Sequence, residues 1–200
     1  MISEALQYAA TYPATEAGFR PFIRSSVSLW SRANRCSREW AEHEANCLAF
    51  VADMLGRMKR RRTAVVLGSG LLRDVPVEEM AKAFDTVVLV DLVHLASVRF
   101  RLKAKRLRDV RLISRDLSGF DAALAGHEVE PLAFLRQVPY LNLVVSANLL
   151  SQVGVGAERR LKQDGPTGKA DILPQLIRAH LNGLAALPCS TVLLTDTGFR

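Results

Sequence analysis

An α/β fold with a mostly parallel sheet is predicted by three features of this chain. Short, unbroken apolar runs alternate with helix-like segments from residue 63 onward, the pattern of strands buried on both faces. The first run ends in Gly68-Ser69-Gly70. The second ends in a single carboxylate, Asp91, about 20 residues after the glycines, which is the layout of a βαβ nucleoside-binding unit.

The elements follow in order. Residues 1–20 carry weak patterning with Pro13 and Gly18, and irregular structure is expected there. From 22 to 62 the pattern is helical: Trp40, Glu44, Cys47, Val51, Met54, Leu55 and Met58 recur at three- and four-residue spacing. The basic run Lys59-Arg60-Arg61-Arg62 suits the negative end of that helix. Residues 1–62 are therefore read as a helical extension on a core formed by 63–200. Strand one is 64–67. A helix over 77–84 follows, with Pro76 in its first turn and Asp74 as its cap. Strand two is 86–90, a helix covers 92–107, and strand three is 110–114. Residues 121–135 form a helix interrupted at Gly126 and Pro131. Strand four is 141–146, and 164–168 is a loop by composition. Asp171 caps a helix bearing Leu173, Leu176, Ile177, Leu181 and Leu184, and strand five is 191–195. The expected fold is a three-layer αβα sandwich.

The 200 residues suffice for one domain with a sizeable core. No apolar run reaches the roughly 18–20 residues needed to span a bilayer, and residues 1–11 lack the signature of a secretory signal. Cys36, Cys47 and Cys189 are odd in number, scattered, and without CxxC spacing. That argues against a disulfide framework or a structural zinc site, so no metal and a cytoplasmic location are expected. The net charge of +7 is concentrated in 59–62 and in Arg99, Arg101, Lys103, Lys105, Arg106 and Arg108. Such runs attract nucleic acid or acidic substrates, but stacking aromatics are missing apart from Phe100, and a solvated surface is the favoured reading.

In a parallel sheet the ligand lies beyond the carboxyl ends of the strands. Gly68 and Gly70 follow strand one, Asp91 ends strand two, Asp116 follows strand three, and Ser146 and Asn148 follow strand four. A dinucleotide site wants a third glycine where Arg73 stands, and an unopposed helix N-terminus for its pyrophosphate. Asp74, Glu78 and Glu79 at the helix entrance oppose it. They favour a ligand carrying positive charge, such as S-adenosylmethionine, whose one carboxylate can be met by backbone N–H groups at 69–71 or by Arg73.

At these positions the chain resembles the class I, Rossmann-like S-adenosylmethionine-dependent methyltransferases. Val65-Val66-Leu67-Gly68-Ser69-Gly70 is similar to their first motif, without the acidic residue that often begins it. Val88-Leu89-Val90-Asp91 resembles the second, whose acid holds the ribose hydroxyls, and Ser114-Arg115-Asp116-Leu117 the third, whose acid meets the adenine amino group. Residues 142–152 resemble the fourth strand and its exit, with Asn142 and Gln152 where many small-molecule methyltransferases carry Asp and His. The resemblance implies S-adenosylmethionine as cofactor, held by Gly68, Ser69, Gly70, Leu71, Asp91, Leu92, Asp116, Leu117, Ser146 and Asn148. It implies an unidentified small or medium-sized methyl acceptor, with Gln152 and Asp196 as candidate substrate contacts. It excludes the branches marked by an Asn/Asp-Pro-Pro-Tyr/Phe tetrapeptide or a cysteine after strand four. No general base is identified. His180 lies on an apolar stripe and is expected in the core, His94 sits either near the adenine or on a helix surface, and His43 and His127 have no motif context. Trp30 and Trp40 are expected as packing anchors, although Trp30, Arg35 and His43 lie on the extension that could reach a ligand. Sequences of this class usually continue into a hairpin beside strand five, whereas this one stops at Gly198-Phe199-Arg200, which implies a shortened family or a fragment. Two alternatives stay open: a non-catalytic protein on the same scaffold that touches RNA, and an NAD-linked oxidoreductase.

Overall fold

The structure, a computed structural model, describes residues 2–164 and 171–196. Five strands form one sheet: β1 (Thr63–Leu67), β2 (Thr86–Asp91), β3 (Val110–Ser114), β4 (Leu141–Ala147) and β5 (Ser190–Leu194). Their order is β3-β2-β1-β4-β5 and every pairing is parallel. The expected α/β architecture is thus present, and strand order reverses between β1 and β4, the point at which ligands of such sheets bind.

The three layers follow from strand periodicity. Ala64 and Val66 of β1 join Val87 and Leu89 of β2 and Val145 of β4 in one core. Val65 and Leu67 face the opposite way, into a second core with Val90 and Val144. The first core is covered by α2 (Ile23–Arg35), α3 (Ser37–Arg57), α4 (Val77–Ala83) and α5 (Ala96–Ala104). The second is covered by α6 (Phe120–Leu124), α7 (Leu149–Asp164) and α8 (Ile172–Ala185). Trp30 packs against the first core as an anchor, as expected.

Several expectations change. Residues 2–11 are not irregular: they form α1 (Ile2–Thr11), followed by two 3-10 segments at Tyr12–Ala14 and Ala17–Phe22. Its buried residues are polar, Gln7 and Thr11, whereas Ile2, Leu6 and Tyr8 are exposed, so no apolar stripe announced it. Gln7 Nε2 donates to Ser97 Oγ at 2.6 Å, and Thr11 Oγ1 accepts the Ala96 N–H at 3.0 Å, satisfying a donor in the first turn of α5. The expected long helix over 22–62 is broken at Cys36 into α2 and α3, and α3 ends before the basic run. The segment 92–107 is helical only over Ala96–Ala104. The interrupted helix of 121–135 resolves into α6 and a 3-10 turn at Ala133–Gln137. Helix α7 had no counterpart in the sequence reading. Asp164, expected in a loop, is the last residue of α7; the rest of that loop, 165–168, and residues 197–200 lie outside the described residues.

The close approach of β1 and β4 fixes the first glycine. Gly68 has φ +69°, and a Cβ there would meet Ala147 O at 2.9 Å and Leu149 Cβ at 3.1 Å. Gly70 has φ +47°, but its hypothetical Cβ would meet only Gly68 O at 3.7 Å. Left-handed backbone costs a non-glycine residue about 1–2 kcal/mol. Gly70→Ala is therefore expected to cost that backbone increment alone, and Gly68→Ala distinctly more because backbone must also move. Urea denaturation of the two variants reads the difference, and equal losses would show that the contact with Ala147 is not limiting.

Candidate functional site

The loops at the carboxyl ends of β1, β2 and β4 meet at the reversal point. The Gly68 and Ser69 N–H groups both donate to Val90 O, at 2.9 and 3.3 Å. The Gly70 N–H donates to Asp91 Oδ2 at 2.7 Å, and the Leu92 N–H to Asp91 Oδ1 at 2.7 Å. Asp91 is thus turned inward. Burial raises its carboxyl above the usual carboxylate range, while these backbone donors and nearby His94 oppose the rise.

His94 is not on a helix surface. It is buried just ahead of α5, with Nε2 3.0 Å from Ile113 O. Burial lowers its pKa, so the ring is neutral and Nε2–H donates to the carbonyl. Nδ1 then has no partner, and Ser69 Oγ and Asn148 Oδ1 are likewise buried without partners. Buried polar atoms are normally paired. Of the four such atoms among the described residues, three lie on the loops after β1, β2 and β4, and the fourth, His180 Nδ1, lies on α8 in the other helical layer.

The remaining predicted residues divide. Leu71 and Leu92 pack half-buried against the first core. Asn148 takes φ +52° and donates from Nδ2 to Asp74 Oδ2 at 2.7 Å. Asp116 is exposed and accepts the Ser118 N–H at 2.7 Å, a local turn, while Leu117 is buried in the second core. Ser146 is fully buried with its hydroxyl 2.9 Å from His180 Nε2, on the α8 side of the sheet. Gln152 is exposed on α7, and Asp196 is exposed just past β5, close enough to Cys47 for its charge to act on the thiol. His43 is exposed on α3 and His127 is exposed after α6.

Three expectations about the glycine loop change. Asp74 does not cap α4, whose N-cap is Pro76; it bonds Asn148 instead. Arg73 is not available to a ligand carboxylate, because it pairs with Glu44 at 2.6 Å and donates to Ala33 O at 2.8 Å. The N–H groups of Ser69 and Gly70 are also engaged within the protein. Of the acidic residues at the helix entrance, Glu78 is met by Lys105 at 3.3 Å and Arg101 at 3.7 Å. Glu79 is exposed on α4, and the carboxylates bonded within the loops themselves are Asp91 and Asp74.

Sequence reasoning missed the way the N-terminal segment is tied to α5. Besides the Gln7 and Thr11 contacts, Arg99 Nη2 donates to Ala14 O at 3.1 Å, so the N-terminal segment is fastened across the start of α5, beside the tip of β2. The two basic runs each line a separate cleft. One, of about 410 Å³, is formed by Arg99, Lys103, Arg106 and Arg108 against β3. The other, of about 460 Å³, includes Lys59 and Arg60 and lies at the amino ends of β4 and β5, the far end of the sheet. No helix among the described residues is long and apolar enough to cross a membrane.

Comparison with protein-family models, with curated proteins and with solved structures returned no match. The fold itself is that of an α/β protein with an all-parallel five-stranded sheet between two helical layers.

The Ser146–His180 pair gives a pH-dependent outcome. Burial holds the His180 pKa at about 4, against 6.5 in the unfolded chain. The neutral ring is the folded form, so its contribution is complete above pH 6.5 and is lost as pH falls from 6.5 to 4. Wild type should lose about 2–3 kcal/mol more than His180→Gln between pH 7.5 and pH 4.5. Parallel urea curves for the two proteins at both pH values would refute this.

Proposed function

We propose that this protein binds an adenosyl ligand at the reversal point of its sheet and transfers a methyl group from S-adenosylmethionine. The observation that carries the reading is the inward Asp91 carboxylate at the tip of β2, locked to the glycine loop and framed by unpartnered polar atoms on the loops after β1, β2 and β4. The residues fit the cofactor on three counts. A carboxylate has about four acceptor directions, and at Asp91 the Gly70 and Leu92 N–H groups hold two while the Val93 N–H is directed at a third, which leaves capacity for a ribose hydroxyl. Neutral His94 offers Nδ1 as a buried acceptor near that carboxylate, suited to an amino group. The charge of Asp91 and Asp74 favours a cationic ligand over a pyrophosphate, which the carboxylates would repel.

The cofactor would supply an electrophilic methyl group. The chain's own part is alignment and exclusion of water. Gly68 lets the loop approach β4, the Asp91–Gly70 bond fixes the loop's position, and α1 with its 3-10 segments encloses the β2 side. Asn148, Gln152 and Asp196 lie at the exits of β4 and β5, where an acceptor would be oriented.

Calorimetric titration with S-adenosylhomocysteine and with NAD tests this reading. The adenosyl ligand should bind the more tightly, and Asp91→Ala should weaken it by roughly 1–3 kcal/mol through loss of a charged hydrogen-bond acceptor. Tighter binding of NAD, or unchanged affinity in a variant that keeps its circular dichroism, would overturn it.

A second reading, a binding protein for RNA on the same scaffold, draws on the basic cleft beside β3. Filter binding across a salt series separates the two: affinity falling steeply with salt, with no methyl incorporation, would favour this one.

A further inference from the structure

Three side chains of different chemistry converge at the glycine loop. His43 and Cys47 stand one helical turn apart on α3, so both fall on the same face. Asp74 comes to them from the loop between β1 and α4. One imidazole nitrogen, the Cys47 sulfur and one Asp74 oxygen all lie within 4.8 Å of one another, and His43 Nε2 is 3.5 Å from Cys47 Sγ. A tetrahedral zinc ion with bonds of about 2.0–2.3 Å sets its ligand atoms roughly 3.3–3.8 Å apart. The His–Cys edge already has that length, and the Asp74 edges reach it with side-chain adjustments of about an ångström.

The geometry points to a divalent transition-metal site, with zinc as the fitting ion, formed by His43, Cys47 and Asp74 with the fourth position open. The set of one nitrogen, one sulfur and one oxygen suits zinc and excludes magnesium and calcium, which take oxygen alone. Two surrounding features belong to such a site. Asn148 Nδ2 holds Asp74 Oδ2 at 2.7 Å, which orients the carboxylate in the way that hydrogen bonds from outside the ligand set orient metal-bound carboxylates. Burial and the charges of Asp74, Asp196 and Glu44 push the Cys47 thiol up, and burial also raises Asp74. A cation among them relieves both penalties, with release of the thiol proton. His43 is exposed and leaves a route for the ion, while Cys47 is buried. The site would staple α3 to the glycine loop and to the exit of β4. The cysteine spacing argued against zinc because it weighs neighbours along the chain. These ligands are assembled by the fold, from a single cysteine.

The test uses the full chain, stripped with chelator and retitrated with zinc and with cobalt(II). One equivalent of zinc should remain through gel filtration and raise the thermal midpoint. Cobalt should give a thiolate-to-metal charge-transfer band. His43→Gln, Cys47→Ser and Asp74→Asn should each abolish stoichiometric retention, and Asn148→Ala should weaken it roughly 10–100-fold. Cys36→Ser and Cys189→Ser should match wild type. If Cys47→Ser does not fold, His43→Gln still decides, because its side chain is exposed. Absence of retained zinc in folded wild type would overturn the proposal and leave a thiol–imidazole hydrogen bond. So would equal losses in the Cys36 or Cys189 variants, which would mark nonspecific thiol binding. Neither result bears on adenosyl binding, which is read by separate titration.

Discussion

The bond from the Gly70 N–H to the Asp91 carboxylate joins the loop after β1 to the tip of β2, and the neighbouring loops are arranged around it. Hydrogen bonds to an ionised acceptor are about twice as strong as neutral ones, and this one sits where burial makes it costly to break. Its partner at Leu92 fixes the second oxygen, so the carboxylate cannot swing to solvent without orphaning two backbone donors. The same constraint requires Gly68 in a left-handed conformation, because the chain must leave β1, pass under Ala147 O and return toward β2 within three residues. A ligand would meet a wall that is already built rather than one it must order, which reduces the entropy lost on binding.

Around this wall the positive charge is committed elsewhere. Arg73 reaches back to Glu44 on α3, and Glu78 is neutralised by Arg101 and Lys105 of α5. The electrostatic argument from sequence counted Asp74, Glu78 and Glu79 together. In the fold it narrows to Asp74 and Asp91, both raised by burial. Two partly desolvated carboxylates act more strongly on a nearby charge than three exposed ones, because the local dielectric is lower. A positive charge placed beside these two carboxylates would offset the cost of burying them, whether it came from a sulfonium or from a metal ion.

Strands β1, β2 and β4 were legible because they lie inside the sheet and read as continuous apolar runs, and the edge strands β3 and β5 because they alternate exposed with covered residues; β3 was placed at its observed bounds and the other four within one residue at either end. Asp91, Gly68 and Gly70 were legible for a related reason, since a break in an apolar run marks a strand's exit. Helix α1 was not, because it is anchored through Gln7 and Thr11 and leaves its apolar residues in solvent. Helix α7 was not, because Gly154 and Gly156 dilute its pattern. The grouping of Cys47 with Asp74 could not be read at all. Only the one-turn spacing of His43 and Cys47 was on the page, and the third member is brought in by how α3 packs beside the glycine loop.

Ser146 and Asn148 show how one backbone angle divides two neighbouring fates. Residues two apart on a strand share a face, and a continued β4 would send both toward α8. Ser146 does go there, to His180. Asn148 instead adopts φ +52°, a conformation its short amide side chain tolerates, and its Nδ2 reaches Asp74 on the other side of the sheet. Its N–H still closes on Leu194 O at 2.9 Å, so the turn is held by β5. The amide thereby holds Asp74 of the His43–Cys47–Asp74 cluster through Nδ2, while its Oδ1 is left buried without a partner.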